Sequence, residues 1–431
     1  MLPRTSQVRS NFLHCRGALN SESLSASQFN RDARLLIVVS GLSAVSFFGI
    51  QMLLRVLYVL RLGHGIEYVG LFSATGALTY MGMSLPSGVL GGRCGVWRVM
   101  LLGGIVTVTG MALLPLTEFV PPWAQSWWPI ASQMVLTSGW AMFNVNLVPA
   151  LMAATTAENR NGAYALTSAL RGLGTFVGTV FGGMLPGLFA DLLGQTLDLP
   201  GPYRLALWVG AVLGLIALIP LGLVRSSGQV VDREQERARG PFPLQPVALM
   251  VAYVCLVNGG WATNQAFCNA YMDTDLSLPT SSIGLITGVG QFVAIPASLL
   301  TPRLAARRSN GWTLVVTSLG IALSLLPLAL IPHWAAVGLG RLGALSLSAI
   351  WIPALQVFQM ELVADQWRSL AYGAVAMAMG LSYGSISLAG GYIVAATGYR
   401  SLFLLGAGLS LAGAVLMWGI LKRLGTALAE T

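Results

Sequence analysis

Apolar residues run along this chain in blocks separated by short segments that collect arginine, proline and glycine. A block of about 20 residues crosses ~30 Å of hydrocarbon as an α-helix, with its backbone N–H and C=O groups paired inside the segment. The pattern predicts twelve helices, near residues 35–60, 67–91, 96–117, 127–153, 161–190, 203–224, 246–272, 281–304, 312–331, 334–362, 369–396 and 400–422. The fold class expected is therefore an all-α membrane protein.

The segments between the blocks differ in charge. With both termini on one side, eighteen of the 24 basic residues fall on that side, including Arg93, Arg98, Arg160, Arg303, Arg307, Arg308 and Arg368. Arg61, Arg204 and Arg400 fall on the other, and Arg55, Arg171 and Arg341 lie inside spans. The positive-inside rule then places both termini in the cytoplasm, in a plasma or inner membrane. An odd helix count would mix the arginines, so charge and count support each other.

The chain also repeats itself. Pro86-Ser87-Gly88 followed by Arg93 is echoed by Pro296-Ala297-Ser298 followed by Arg303, and Val148-Pro149-Ala150-Leu151 by Ile352-Pro353-Ala354-Leu355. Arg160 with Ala163-Tyr164 is echoed by Arg368 with Ala371-Tyr372, and Tyr203-Arg204 by Tyr399-Arg400. Between the halves the segment 225–246 is charged and proline-containing, as a solvated linker is. The domains expected are a disordered cytoplasmic tail (1–33), a six-helix bundle (34–224), the cytoplasmic linker (225–246), a second six-helix bundle (247–423) and a short cytoplasmic tail (424–431). Residues 1–33, rich in serine and arginine, also fit a transit peptide.

Composition agrees with lipid as the main solvent: 55% of the 431 residues are hydrophobic and 9% charged, against roughly 25% charged in a soluble domain. The +9 balance does not mark nucleic-acid binding, because no soluble face gathers the basic groups. Cys15, Cys94, Cys255 and Cys268 show neither metal spacing nor a paired pattern, and His14, His64 and His333 are scattered. No nucleophile elbow or phosphate-cradling loop appears, so no enzyme activity, metal or cofactor is expected.

Two six-helix halves joined by a linker resemble the major facilitator superfamily over roughly residues 35–423. Gly88, Arg93 and Gly95 match the G-x-x-x-D-R-x-G motif of the loop after the second helix, with Gly92 where the acid belongs. Gly174, Gly178, Gly182 and Gly183 resemble the glycine-rich motif of family exporters, with Thr179 in place of the proline. Small residues every fourth position let two helix backbones approach closely in lipid, which is enough to account for these glycines without the family. The resemblance implies a permease working by alternating access, two halves rocking about a central site. It also implies a cavity lined by helices 1, 4, 7 and 10.

Ionisable groups inside spans are the first site candidates, because placing one at mid-helix costs roughly 2.5–3.5 kcal/mol on insertion scales. Arg171 is ~16 Å from the cytoplasmic interface by helical rise and shares a stripe with Thr167 and Thr175. Arg55 shares a face with Gln51 and Tyr58. Arg341, about two turns into helix 10, is expected to reach the outer interface. Helix 7 is unusually polar, with Asn258, Trp261, Thr263, Asn264, Gln265 and Asn269, and the resemblance adds Asn144, Asn146, Trp351 and Gln356. Taken alone, each of these polar groups suits a helix–helix hydrogen bond or packing contact better than a ligand contact.

The expected substrate-binding set is therefore Gln51, Arg55, Asn144, Asn146, Arg171, Trp261, Asn264, Gln265 and Trp351. No acid lies at mid-depth, which favours an anionic or polar neutral small molecule over a cationic drug. Aligning Gly70-Leu71 with Gly284-Leu285 sets Arg61 opposite Asp275, an expected gate pair at the outer mouth. The partners expected are the solute, the lipid bilayer and a candidate coupling proton or ion, for a chain acting as a monomer. Efflux of amphipathic compounds, and a non-transporting membrane sensor or assembly factor of the same fold, are the alternatives.

Overall fold

The computed structural model describes residues 29–156, 159–224, 243–301, 303–304, 309–363 and 368–429. Twelve long helices follow one another: α1 Arg31–Arg61, α2 Ile66–Cys94, α3 Val96–Leu113, α4 Trp128–Ala153, α5 Arg160–Leu193, α6 Pro200–Gly222, α7 Leu244–Thr274, α8 Thr280–Ser298, α9 Asn310–Leu330, α10 Trp334–Leu362, α11 Arg368–Thr397 and α12 Tyr399–Ala429. Helix α3 tightens into a 3₁₀ segment, Leu114–Phe119. Eleven of the twelve are long and apolar enough to cross a membrane. The other, α2, has the length but dilutes its apolar run with Ser73, Thr75, Thr79, Tyr80, Ser84 and Ser87.

Local chemistry sets the corners. Gly95, at φ +92°, is the single residue between α2 and α3, a conformation in which a Cβ would be strained. Helix α8 stops at Ser298 rather than near 304, because the Leu299 and Leu300 N–H groups turn to the carbonyls of Pro296 and Ala297 and tighten the end. Helix α12 continues to Ala429, so most of the expected 424–431 tail is helical backbone. At the other end α1 begins at Arg31, inside the expected tail. Residues 1–28 of that tail and 225–242 of the expected linker lie outside the described residues, and Leu244 to Pro246 already belong to α7.

Because the spans are even in number, the start of α1 and the end of α12 share a face, here the terminal face; the opposite one is the distal face. Within the first half α3 packs on α4 and α5 on α1; within the second α9 packs on α10 and α12, and α7 on α11 and α12. The halves meet where α2 runs against α11, α5 against α8, and α1 against α7. Glycines permit the first two approaches: a Cβ on Gly183 would lie 2.8 Å from the Gly284 Cα, and one on Gly70 3.0 Å from the Gly391 Cα. These contacts sit in the turns nearest the distal face. Of the other helix-5 glycines, Gly174, Gly178 and Gly182 pack on α1, against Gly41, Val45 and Ile50.

Candidate solute-binding site

Helix α1 is not uniform: Ala44–Gln51 is a π-helical stretch between α-helical ends. Such stretches insert an extra residue per turn, re-aim the side chains that follow and recur at functional sites. This one sets Phe47, Phe48, Gln51 and, one turn on, Arg55 along the inner side of the first bundle. Arg55 is 7% exposed. Its Nη1 donates to the Gln133 Oε1 of α4 at 2.7 Å, its Nε to the Gln51 carbonyl at 3.2 Å, and its guanidinium lies 5.4 Å from the Phe47 ring centre. Gln133, which the sequence reading did not single out, is thus the polar partner of a buried cation; the glycine of α2 facing it, Gly76, leaves room for its amide.

The second half holds a counterpart. Arg341 on α10, only 2% exposed, turns to α7, where its Nη1 donates to the Asn264 Oδ1 at 2.6 Å and to the Asn264 carbonyl at 3.0 Å. The expectation that Arg341 reaches the outer interface is corrected here. It faces a neighbouring helix that offers two acceptors, so it has no need to extend toward headgroups. The Arg341 Nε and the Asn264 Nδ2 are buried without a hydrogen-bond partner, as is the Gln265 Oε1 one residue along α7. The Trp261 ring of α7 lies 6.1 Å from the Tyr383 ring of α11. Each half thus buries one guanidinium group against an amide of a neighbouring helix.

Arg171 is nearer the terminal face and half-buried. Its Nη1 donates to the Asn144 Oδ1 at 3.4 Å, and its guanidinium stacks 4.6 Å from the Phe48 ring centre and 5.6 Å from that of Trp140. The Asn144 amide in turn donates to the Tyr80 hydroxyl at 2.8 Å. Phe47 stacks on Trp140 at 4.3 Å, so an aromatic wall separates Arg171 from Arg55.

Other expected site residues lie elsewhere. The Gln51 Nε2 donates to the Leu207 carbonyl of α6 at 3.0 Å, and the Asn146 Nδ2 to the Ser87 and Met142 carbonyls at 3.1 and 2.9 Å. The Trp351 Nε1 donates to the Tyr253 hydroxyl at 2.8 Å inside the second bundle. All three side chains make helix–helix contacts within their own half, and none of these amide and indole groups bonds to an arginine, although the Gln51 carbonyl accepts from Arg55. Gly88 and Arg93, expected in a loop, belong to the last turns of α2, and Gly95 alone makes the turn. Arg93 and Arg303 are both exposed on the terminal face.

At the distal face Arg61 is held by Asp273 rather than Asp275. Nη1 and Nη2 donate to the two carboxylate oxygens at 2.7 and 2.6 Å, Nε donates to the Leu197 carbonyl at 2.8 Å, and the guanidinium lies over Tyr203. Two helical residues turn a side chain about 200°, so Asp273 points inward while Asp275 is exposed and accepts from the Thr274 hydroxyl. The Tyr203 and Thr280 hydroxyls add a 2.9 Å bond between α6 and α8. A second bridge, Arg204 to Glu118 at 3.0 Å, stays within the first bundle and is joined there by the Tyr58 hydroxyl.

Among the described residues no group of three or more His, Cys, Asp or Glu side chains could hold a metal ion. Twelve long helices in two bundles, eleven of them apolar enough to cross a membrane, define a polytopic membrane protein with buried polar side chains inside its bundles. The Major Facilitator Superfamily model matches residues 36–351 and 249–428, and the chain belongs to that superfamily. No curated relative matches the sequence.

Solved structures agree on the fold. A point mutant of the nucleoside transporter NupG superposes with a TM-score of 0.71 at 14% identity, over 90% of this chain and 99% of that one. A D-xylose-proton symporter gives 0.70 at 14% identity over 89% and 97%. A point mutant of the peptide transporter POT gives 0.69 at 12% identity over 91% and 95%.

Proposed function

We propose that this integral membrane protein is a secondary carrier for a small organic anion, moved by alternating access of the two bundles about Arg55 and Arg341. One observation carries the reading. Each half buries one guanidinium group, Arg55 in the first and Arg341 in the second, and each is held by amide and carbonyl oxygens, while the ion pairs among the described residues are Arg61–Asp273 and Arg204–Glu118. A buried unpaired charge is strongly destabilising, and an anion with several acceptor oxygens would neutralise both. Fold likeness does not choose the solute, since the structural neighbours are named for nucleosides, xylose and peptides.

In this reading Asn264, Gln265 and Trp261 complete the second-half side of the site. Arg171 with Asn144 forms a staging position toward the terminal face. The distal contacts, Arg61–Asp273 above all, close the site on that face. The arginine distribution favours a cytoplasmic terminal face, and the units that rock are the two bundles, α1–α6 and α7–α12, in a monomer.

The test is a thermal-shift screen of the detergent-purified protein against inorganic phosphate, succinate, glycerol 3-phosphate and gluconate. Glucose, uridine and tetraphenylphosphonium serve as controls, with Arg341→Gln and Arg171→Ala in parallel. A ligand at 100 times its dissociation constant adds about 2.7 kcal/mol. Stabilisation by anions that is lost in Arg341→Gln supports the reading; stabilisation by tetraphenylphosphonium alone, equal in all proteins, replaces it with efflux of lipophilic cations.

A further inference from the structure

Resting on that reading, we infer that the carrier is an obligate anion exchanger, unable to return unloaded between its two open states. Alternating access takes the protein through a state closed on both faces, in which Arg55 and Arg341 are each shut away from water. Both are already buried, at 7% and 2% exposure. Each is held by an amide, Gln133 for one and Asn264 for the other. An amide orients a guanidinium by accepting its hydrogen bonds, yet leaves the positive charge in place.

Among the described residues the ion pairs are Arg61–Asp273 and Arg204–Glu118, both at the distal face, so neither supplies charge to the centre. The unpartnered Arg341 Nε keeps a donor free for a further acceptor. Closing the unloaded site thus buries two uncompensated like charges, whereas closing it around an anion buries a neutralised cluster. The loaded protein crosses; the unloaded one is held back on whichever side it released its cargo. Net uptake driven by the anion gradient alone is then far slower than one-for-one exchange.

The experiment uses the full chain in proteoliposomes, with potassium and valinomycin on both sides so that charge build-up does not imitate an exchange requirement. Uptake of radiolabelled phosphate, succinate and glycerol 3-phosphate is measured into vesicles preloaded with the same unlabelled anion or with none. The expected result is exchange at least about a hundredfold faster than uptake into anion-free vesicles, equivalent to about 2.7 kcal/mol of barrier. Asn264→Asp and Gln133→Glu each place a resident carboxylate on one arginine at the hydrogen-bond distance the amide now holds. Either variant should narrow the ratio to about tenfold or less by raising unloaded return while exchange falls.

Uptake into anion-free vesicles at the exchange rate in the wild type overturns the inference and leaves the anion reading intact. So does an undiminished ratio in both variants when each still exchanges. Absence of uptake of every anion under both loadings overturns the anion reading itself.

Discussion

Arg341 and Asn264 are joined twice, the Nη1 of one donating to both the side-chain oxygen and the main-chain carbonyl of the other at 2.6 and 3.0 Å. The first bundle repeats the arrangement with its members exchanged. There the arginine stands on α1 and the amide, Gln133, on α4, whereas in the second bundle the arginine stands on α10 and the amide on α7. Since α1 corresponds to α7 and α4 to α10 in the internal repeat, each half contributes one cation fixed by one neutral amide across the same pair of helices. The pseudo-symmetry thus lies in the pairing of helices and not in the residues themselves.

Removing either cation should weaken anion binding without unfolding the protein. In Arg55→Gln and Arg341→Gln a charge-assisted hydrogen bond is lost, worth about 1.5–3 kcal/mol, so dissociation constants for the stabilising anion rise ten- to a hundredfold. Titration by thermal shift or calorimetry reads this directly. Equal affinities in wild type and both variants would remove these residues from the site.

Asn146 should behave in the opposite way. Its amide joins α4 to α2 through the Ser87 carbonyl and is 2% exposed, so Asn146→Ala leaves a buried acceptor with one partner fewer. The expected loss is about 1–3 kcal/mol of stability, visible as a lower melting temperature, with anion affinity unchanged. A selective loss of affinity at wild-type stability would place Asn146 among the ligands after all.

The spans and the intramembrane arginines were legible because lipid makes both conspicuous: helices must be long and apolar, and a charge within them stands out. Which way each side chain turns was not legible. Gln51 and Arg55 share a face of α1 in the sequence, yet the Gln51 amide reaches α6 and the Arg55 guanidinium α4, and Gln51 ends the π-helical stretch, whose wider turn changes the helical spacing assumed from the sequence. Gln133 gave no signal because it is uncharged and stands about three turns along α4 from Asn144 and Asn146, the amides that drew notice. Asp273 was missed in favour of Asp275 because the offset between repeats was fixed on α2 and α8, and two residues of drift on α7 exchange its inward and outward faces.

The Arg61–Asp273 bridge should hold the distal face shut. The Asp273 side chain is 3% exposed and that of Arg61 19%, so the pair is worth more than an exposed bridge at ~1 kcal/mol or less. Cys268, buried one helical turn and a little more from Asp273 on α7, is a native reporter. With Cys15, Cys94 and Cys255 replaced by serine, Asp273→Asn should speed modification of Cys268 by a membrane-impermeant thiol reagent from the distal side. The expected gain is about tenfold, the equivalent of roughly 1.4 kcal/mol moved toward opening. An unchanged rate in both Asp273→Asn and Arg61→Gln would mean that the bridge does not bias the equilibrium.

Backbone contact between Gly183 and Gly284 supplies an independent handle on the same equilibrium. A Cβ at position 183 would lie 2.8 Å from the Gly284 Cα and 2.9 Å from the Thr280 carbonyl, and one at 284 would lie 2.8 Å from the Thr179 carbonyl. The obstacle is backbone on both sides, so no rotamer change relieves it and α5 must move off α8. Overpacking of this kind costs about 1–3 kcal/mol, charged only to the state in which the distal ends touch. Gly183→Ala should therefore raise Cys268 reactivity from the distal side about five- to a hundredfold without a matching fall in the stability of the separated bundles. Combining it with Gly284→Ala should add less than the sum, because one helix displacement relieves both clashes. Full additivity would show that the two glycines act at separate contacts, contrary to the packing described.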